Sequence, residues 1–195
     1  MNVVFLIGKA AAGKDTVGQM FVDKGYKRVA LADIMKNGFY KSMGLPYDCN
    51  TEDRSIKDQY RWSMIQYSEN IKRFKGDTYW FDRALEPYVV GDGLFRFIDD
   101  SPNIVVTDIR RMEEVDEIIS YKLFSNADVR LYHVDRDIEE TDKLTLATLA
   151  VKADCFDKVI DNNKDIKHLK KQVNGIIRRS ARENRNDNKP TVRPV

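Results

Sequence analysis

The segment Gly8-Lys9-Ala10-Ala11-Ala12-Gly13-Lys14 constrains this chain more than any other. It follows the unbroken apolar run Val3-Val4-Phe5-Leu6-Ile7 and precedes a stretch in which Val17, Met20 and Phe21 recur at helical spacing. A run that is apolar at every position, rather than at alternate ones, is the pattern of a central parallel strand covered on both faces. Between such a strand and a helix, G-x-x-x-x-G-K turns backbone N–H groups toward phosphate oxygens. The helix N-terminus adds positive partial charge, and the lysine reaches the outer phosphates. The bland alternative is a glycine turn with a solvated lysine, and the strand-before, helix-after context weighs against it.

Downstream, apolar strands and helical periods alternate. The first helix is predicted to run to Lys24, with Gly25 as its stop, and a short second strand covers Arg28 to Leu31. Asp33 is placed to cap a helix through Met43, and Leu45 to Arg54 reads as a loop. Ile56, Tyr60, Met64, Tyr67, Ile71 and Phe74 mark a long amphipathic helix, broken by Gly76-Asp77 before another helix from Thr78 to Leu85. Val89 to Phe97 suits a connection or a hairpin. Strands at Ile104–Val106, Val129–Val134 and Lys158–Ile160 are separated by helices after Met112 and near Leu144 to Val151. A final helix carries Ile166, Leu169, Val173, Ile176 and Ile177, with Asn163 as its expected cap. From Arg178 onward Arg, Asn and Pro dominate, which predicts a mobile basic tail over 178–195. The alternation argues for one α/β domain over 1–177 with a parallel sheet flanked by helices. Its acceptor-binding helical region spans about 33–85 and a lid about 136–156.

A net charge of +2 gives no reason to expect nucleic acid, and no apolar run is long enough to span a membrane. Two cysteines, Cys49 and Cys155, without metal-like spacing point to a reducing, cytoplasmic setting.

Phosphoryl transfer needs little covalent help; it needs two phosphates held in line with their charge neutralised. A monophosphate acceptor calls for cations away from the glycine loop, and arginine's planar fork suits phosphate. Arg61, Arg73 and Arg110 are the candidates. Trp62, Gln66, Asn70 and Arg73 lie near one helical stripe, supplying an indole, an amide and a guanidinium; the alternative is a solvated face. Asp108 ends an apolar strand, where parallel sheets present their ligand crevice. It can hold Mg²⁺, orient Arg110 or simply cap the strand end. Asp33 and Lys36 touch the acceptor or form a solvent-facing pair. Asp15 stands where most such loops carry Ser or Thr. It can ligate Mg²⁺, contact the acceptor or complement the helix dipole. His133 and His168 lack partners at metal spacing and read as structural.

Gly13-Lys14-Asp15-Thr16 resembles the bacteriophage-type deoxynucleoside monophosphate kinases, whose loops share the Asp-Thr ending. Further segments resemble that family in order. They are Ala32-Asp33-Ile34-Met35-Lys36, Arg61 with Gln66, Arg73, Asp77-Thr78-Tyr79-Trp80, Val105 to Arg110 with Glu113 or Glu114, and Val159 to Asn163. The resemblance implies a three-layer P-loop kinase fold, ATP as donor, Mg²⁺ as cofactor and a deoxynucleoside monophosphate as acceptor. It implies a donor site at Gly8, Ala11, Ala12, Gly13, Lys14, Asp15, Thr16, Val17 and Asn162. The acceptor side takes Asp33, Lys36, Arg61, Gln66, Arg73, Trp80, Asp108 and Arg110, with Lys14, Asp15, Arg110 and Arg136 catalytic and Asp15 and Asp108 on the metal. The cytoplasm would be the host's if the chain is phage-encoded. The stretch after Arg136 departs from the pattern, with Lys143 and Lys152 its remaining basic residues as far as Phe156. Phosphomevalonate kinase-like and dephospho-coenzyme A kinase-like proteins share the layout, so another phosphorylated metabolite is the second reading. A nucleotide-binding protein without transfer chemistry is the third. The preferred base, ribose against deoxyribose, and a homodimer stay open.

Overall fold

Strands that are apolar at every position must be covered on both faces, and the sheet meets that requirement. The computed structural model describes residues 1–51, 53–91 and 96–187, the last seven as backbone. In chain order the elements are β1 (Asn2–Ile7), α1 (Lys14–Val22), β2 (Lys27–Val29), α2 (Leu31–Ser42), α3 (Arg54–Lys75) and α4 (Tyr79–Leu85). There follow β3 (Ile104–Ile109), α5 (Met112–Phe124), β4 (Asp128–Asp135), α6 (Lys143–Val151), β5 (Lys158–Asp161) and α7 (Ile166–Asp187). The five strands form one sheet in the order β2-β3-β1-β4-β5, parallel throughout.

β1 is central, and its side chains alternate between two cores. Val3, Phe5 and Ile7 pack with Phe81, Leu85, Val106, Ile118 and Leu131 on one face. Val4 and Leu6 meet Val17, Phe21, Val105, Val134, Leu169 and Val173 on the other. Full burial of each such side chain stabilises the fold by about 1.5–3 kcal/mol. α3 packs mainly on α2 and α4 rather than on the sheet. It shares a separate aromatic core of Phe39, Tyr40 and Met64, with Tyr47, Tyr60 and Tyr67 against it.

β3 slips by one residue against β1: Phe5 faces Val106, but Ile7 faces Ile109. The extra residue falls at Thr107–Asp108, and bulges of this kind re-aim side chains near functional sites.

Several boundaries differ from expectation for identifiable reasons. β2 ends at Val29 because Leu31 already begins α2. Asp33 lies in the first turn of that helix rather than at its cap, which is Ala30. Asp53 starts α3 by accepting the Ser55 N–H at 2.8 Å. Asp165 accepts from the His168 N–H at the head of α7, at 2.8 Å, whereas the Asn163 side chain accepts from Asp137 N. Val89 and Phe97 form an antiparallel bridge, and residues 92–95 between them lie outside the described residues. The expected tail begins later than Arg178, since α7 continues as helix to Asp187; the rest of that segment lies outside the described residues.

Candidate active site

The glycine loop joins β1 to α1, and its shape follows from two close approaches. A Cβ on Gly8 would overlap the Val134 carbonyl, and one on Gly13, where φ is +97°, would overlap the Asn162 amide. Asn162 donates to the Ala12 carbonyl at 2.7 Å, clamping the loop from the end of β5. Its amide therefore serves the loop backbone rather than a nucleotide, contrary to the expectation from resemblance. Val17 is likewise displaced from the donor site: its side chain is fully buried beneath the sheet.

Lys14 is 7% exposed, and its ammonium donates to the carbonyls of Gly8 and Lys9, both at 2.7 Å. It is no solvated lysine. Desolvation, aided by the positive charge of Arg110, pulls its pKa down to about 8.

A cavity of about 260 Å³ opens beside the loop, lined by Ala11, Gly13, Lys14, Asp15, Thr16, Thr107, Asp108, Arg110 and Arg136. A larger one of about 440 Å³ lies between α2, α3, α4 and the end of β3. Leu31, Met35, Ile65 and Trp80 form its apolar wall; Lys72, Arg110 and Arg111 supply cations beside the carboxylates of Glu69, Asp108, Glu114 and Asp142, with Lys72 paired to Glu69 at 3.1 Å. Asp108 and Arg110 line both, so the two cavities meet there.

Asp108 caps α2 through space. Its carboxylate oxygens accept the Leu31 N–H at 2.9 Å and the Ala32 N–H at 2.8 Å, satisfying donors that no local side chain reaches. Burial nonetheless pushes its carboxyl above the usual range, with the two N–H bonds and Arg110 opposing. Capping α2 is the role these contacts give Asp108, and the same residue lines the cavity beside the loop.

Among the described residues, no three acidic, His or Cys side chains cluster to hold a resident metal. A magnesium ion carried in by a triphosphate needs one or two protein oxygens, because it keeps several waters. Asp15 and Thr16 line the smaller cavity with Thr107, whose buried hydroxyl has no partner. Those oxygens fit the ion.

The acceptor residues expected on α3 lie on a different stripe from the one that lines the larger cavity. Arg61, Gln66 and Arg73 are exposed and line neither cavity; Arg61 pairs with Asp58 at 3.4 Å. The stripe facing the cleft is Ile65, Ser68, Glu69 and Lys72, one helical step round. Asp33 and Lys36 also lie outside both linings. Asp33 pairs with Arg28 at 2.7 Å and with Lys36 at 3.6 Å, and Arg28 reaches on to Asp15 at 3.6 Å. Trp80 and Arg110 line the larger cavity.

Arg111, Lys72 and Asp142 also line the larger cavity and are not among the expected site residues. The Arg-Arg doublet at the strand end is visible in the sequence, as is the 65-68-69-72 spacing. Glu114 enters the resemblance only as an alternative to Glu113, and Asp142 gives no sign of joining the cleft from a separate element.

The segment after β4 straps the loop. Arg136 donates to the Ala11 carbonyl at 3.4 Å and Lys9 to the Ile138 carbonyl at 2.9 Å, while Glu140 accepts the Ala10 N–H at 2.6 Å. Asp142 caps α6 and accepts from Arg111 at 3.1 and 3.3 Å.

A parallel sheet with this loop on its central strand, and beside the loop a cavity that shares Asp108 and Arg110 with a second one, defines a P-loop phosphotransferase of the kinase type. Residues 6–123 match the phosphomevalonate kinase family. The chain belongs to that family. No curated protein sequence matches it. Among solved structures, a shikimate kinase from Aquifex aeolicus vf5 is 13% identical, with a TM-score of 0.49 over 92% of this chain and 98% of that one. A gluconokinase from Sinorhizobium meliloti 1021 is 12% identical, with a TM-score of 0.47 over 96% and 98%. A dephospho-CoA kinase from Campylobacter jejuni is 14% identical, with a TM-score of 0.47 over 94% and 98%. No helix among the described residues is long and apolar enough to cross a membrane.

Proposed function

We propose that the chain transfers the terminal phosphoryl group of ATP to a (deoxy)nucleoside monophosphate, giving the diphosphate. The junction of the two cavities at Asp108 and Arg110 carries this reading, because an in-line transfer needs donor and acceptor phosphates to meet. The larger cavity is of ligand size, with apolar side chains for a base and the cations Lys72, Arg110 and Arg111 for a phosphate, set among the carboxylates of Glu69, Asp108, Glu114 and Asp142. Loop N–H groups and Lys14 cradle the donor phosphates, and Arg110 neutralises charge at the point of transfer. Arg136, on the loop's other flank, faces the same phosphates from the strap. Asp15 and Thr16 would hold magnesium, which polarises the triphosphate when bound.

A second reading has its own support: the family match raises phosphomevalonate as acceptor. Both readings use the same arginines. ATP labelled in its terminal phosphate, offered with ribo- and deoxyribonucleoside monophosphates and phosphomevalonate, separates them. Labelled nucleoside diphosphate is the expected product. Label transfer to phosphomevalonate alone would sink the nucleotide reading.

A further inference from the structure

We propose that Glu114 is a positioning residue that sets both arginines at the end of β3. The inference rests on the acceptor assignment above. One carboxylate oxygen, Oε2, accepts the Arg110 N–H at 2.8 Å and the Arg111 N–H at 3.0 Å. Two consecutive N–H groups reach one oxygen when the backbone turns around it, and that turn sends the two side chains different ways. Arg110 lines both cavities; Arg111 lines the acceptor cavity and ties to Asp142. Hydrogen bonds to a charged carboxylate are about twice as strong as neutral ones, so this turn is stiff.

Glu114 itself lines the acceptor cavity, where burial pushes its carboxyl up and the two N–H bonds pull it back. Its neighbour Glu113 lies in the same first turn of α5 but is exposed and lines neither cavity. An acid that merely complemented the helix dipole would be served equally well by either position. Glu114, third residue of α5, accepts the N–H of the cap residue Arg111 as in an ordinary capping box; its bond to the Arg110 N–H goes one residue beyond the cap, and both arginines line the larger cavity.

Steady-state kinetics and thermal melts of Glu114→Ala, Glu114→Gln, Glu114→Asp and Glu113→Ala test the role on whichever acceptor the wild-type protein phosphorylates. Glu114→Ala should raise acceptor KM about tenfold and lower kcat, with ATP KM within about twofold. Glu114→Gln keeps an oxygen at the right reach and should recover acceptor KM to within about threefold of wild type. Glu114→Asp keeps the charge but draws the oxygen back, so its acceptor KM should exceed that of Glu114→Gln. Glu113→Ala should leave all three constants unchanged. If Glu114→Ala does not fold, the order of the Asp and Gln variants decides. A lower melting temperature with acceptor KM unchanged, or Asp outperforming Gln, would overturn the proposal. If the wild-type protein uses phosphomevalonate and no nucleotide, the acceptor assignment falls, and the same ranking on that substrate still judges Glu114.

Discussion

Lys14 shows how one residue is held against its own chemistry. Its ammonium is buried and satisfied by two loop carbonyls, yet burial and Arg110 bring its pKa to about 8 from an ordinary 10.5. The folded state therefore binds the proton more weakly than the unfolded chain does. The charged lysine costs the nucleotide-free fold stability at pH values below 8, and that cost fades as pH rises from 8 toward 10.5. Lys14→Met should lower turnover on the order of 10²–10³-fold, the loss expected for one preorganised donor. The same change should raise the melting temperature at pH 7 by a few degrees, on a scale of about 2–4 °C per kcal/mol for chains of this size. Scanning calorimetry beside a rate assay checks both halves; unchanged turnover would remove Lys14 from the mechanism. In the unsubstituted protein kcat/KM for ATP should fall above about pH 8 as the free enzyme loses this charge.

Among the elements, α3 carries the plainest lesson. It is a long helix with a buried stripe of Tyr60, Met64, Tyr67 and Ile71, a cleft stripe, and an outer stripe bearing Trp62 at 72% exposure. The chemically attractive Arg61, Gln66 and Arg73 are exposed and line neither cavity. Arg61→Ala and Arg73→Ala should leave the kinetic constants within about twofold, as exposed charges away from a site do. Lys72→Ala should raise acceptor KM about tenfold while sparing that for ATP. The reverse ranking would show that α3 turns its other face to the substrate. Phe74 continues the apolar period but is 87% exposed, because the helix has run past the partners that cover its earlier turns.

At the scale of the whole molecule, the sheet carries the glycine loop while a separate aromatic core holds α3 to α2, and Asp108 links the two by capping α2 from β3. The cavities meet at that joint. An analogue linking adenosine to a deoxynucleoside through a polyphosphate should therefore raise the melting temperature more than either half at the same concentration, since linkage supplies a high effective concentration for the second site. A shift no larger than that from ATP would mean that the cavities do not open onto each other.

The sequence by itself determined the loop, the central strand, the alternation of strands and helices and hence the layered α/β fold. Each rests on local order: a fixed spacing of Gly and Lys, an apolar run, a helical period. Tertiary structure decided the rest. Which stripe of α3 faces the cleft depends on how α2 and α4 pack against it, and a helical period defines a buried face without saying what borders it. Whether Asp108 binds metal or caps a helix depends on a one-residue bulge and on where Leu31 begins α2. Glu114, Arg111 and Asp142 come together across β3, α5 and α6, a convergence that spacing along the chain does not encode.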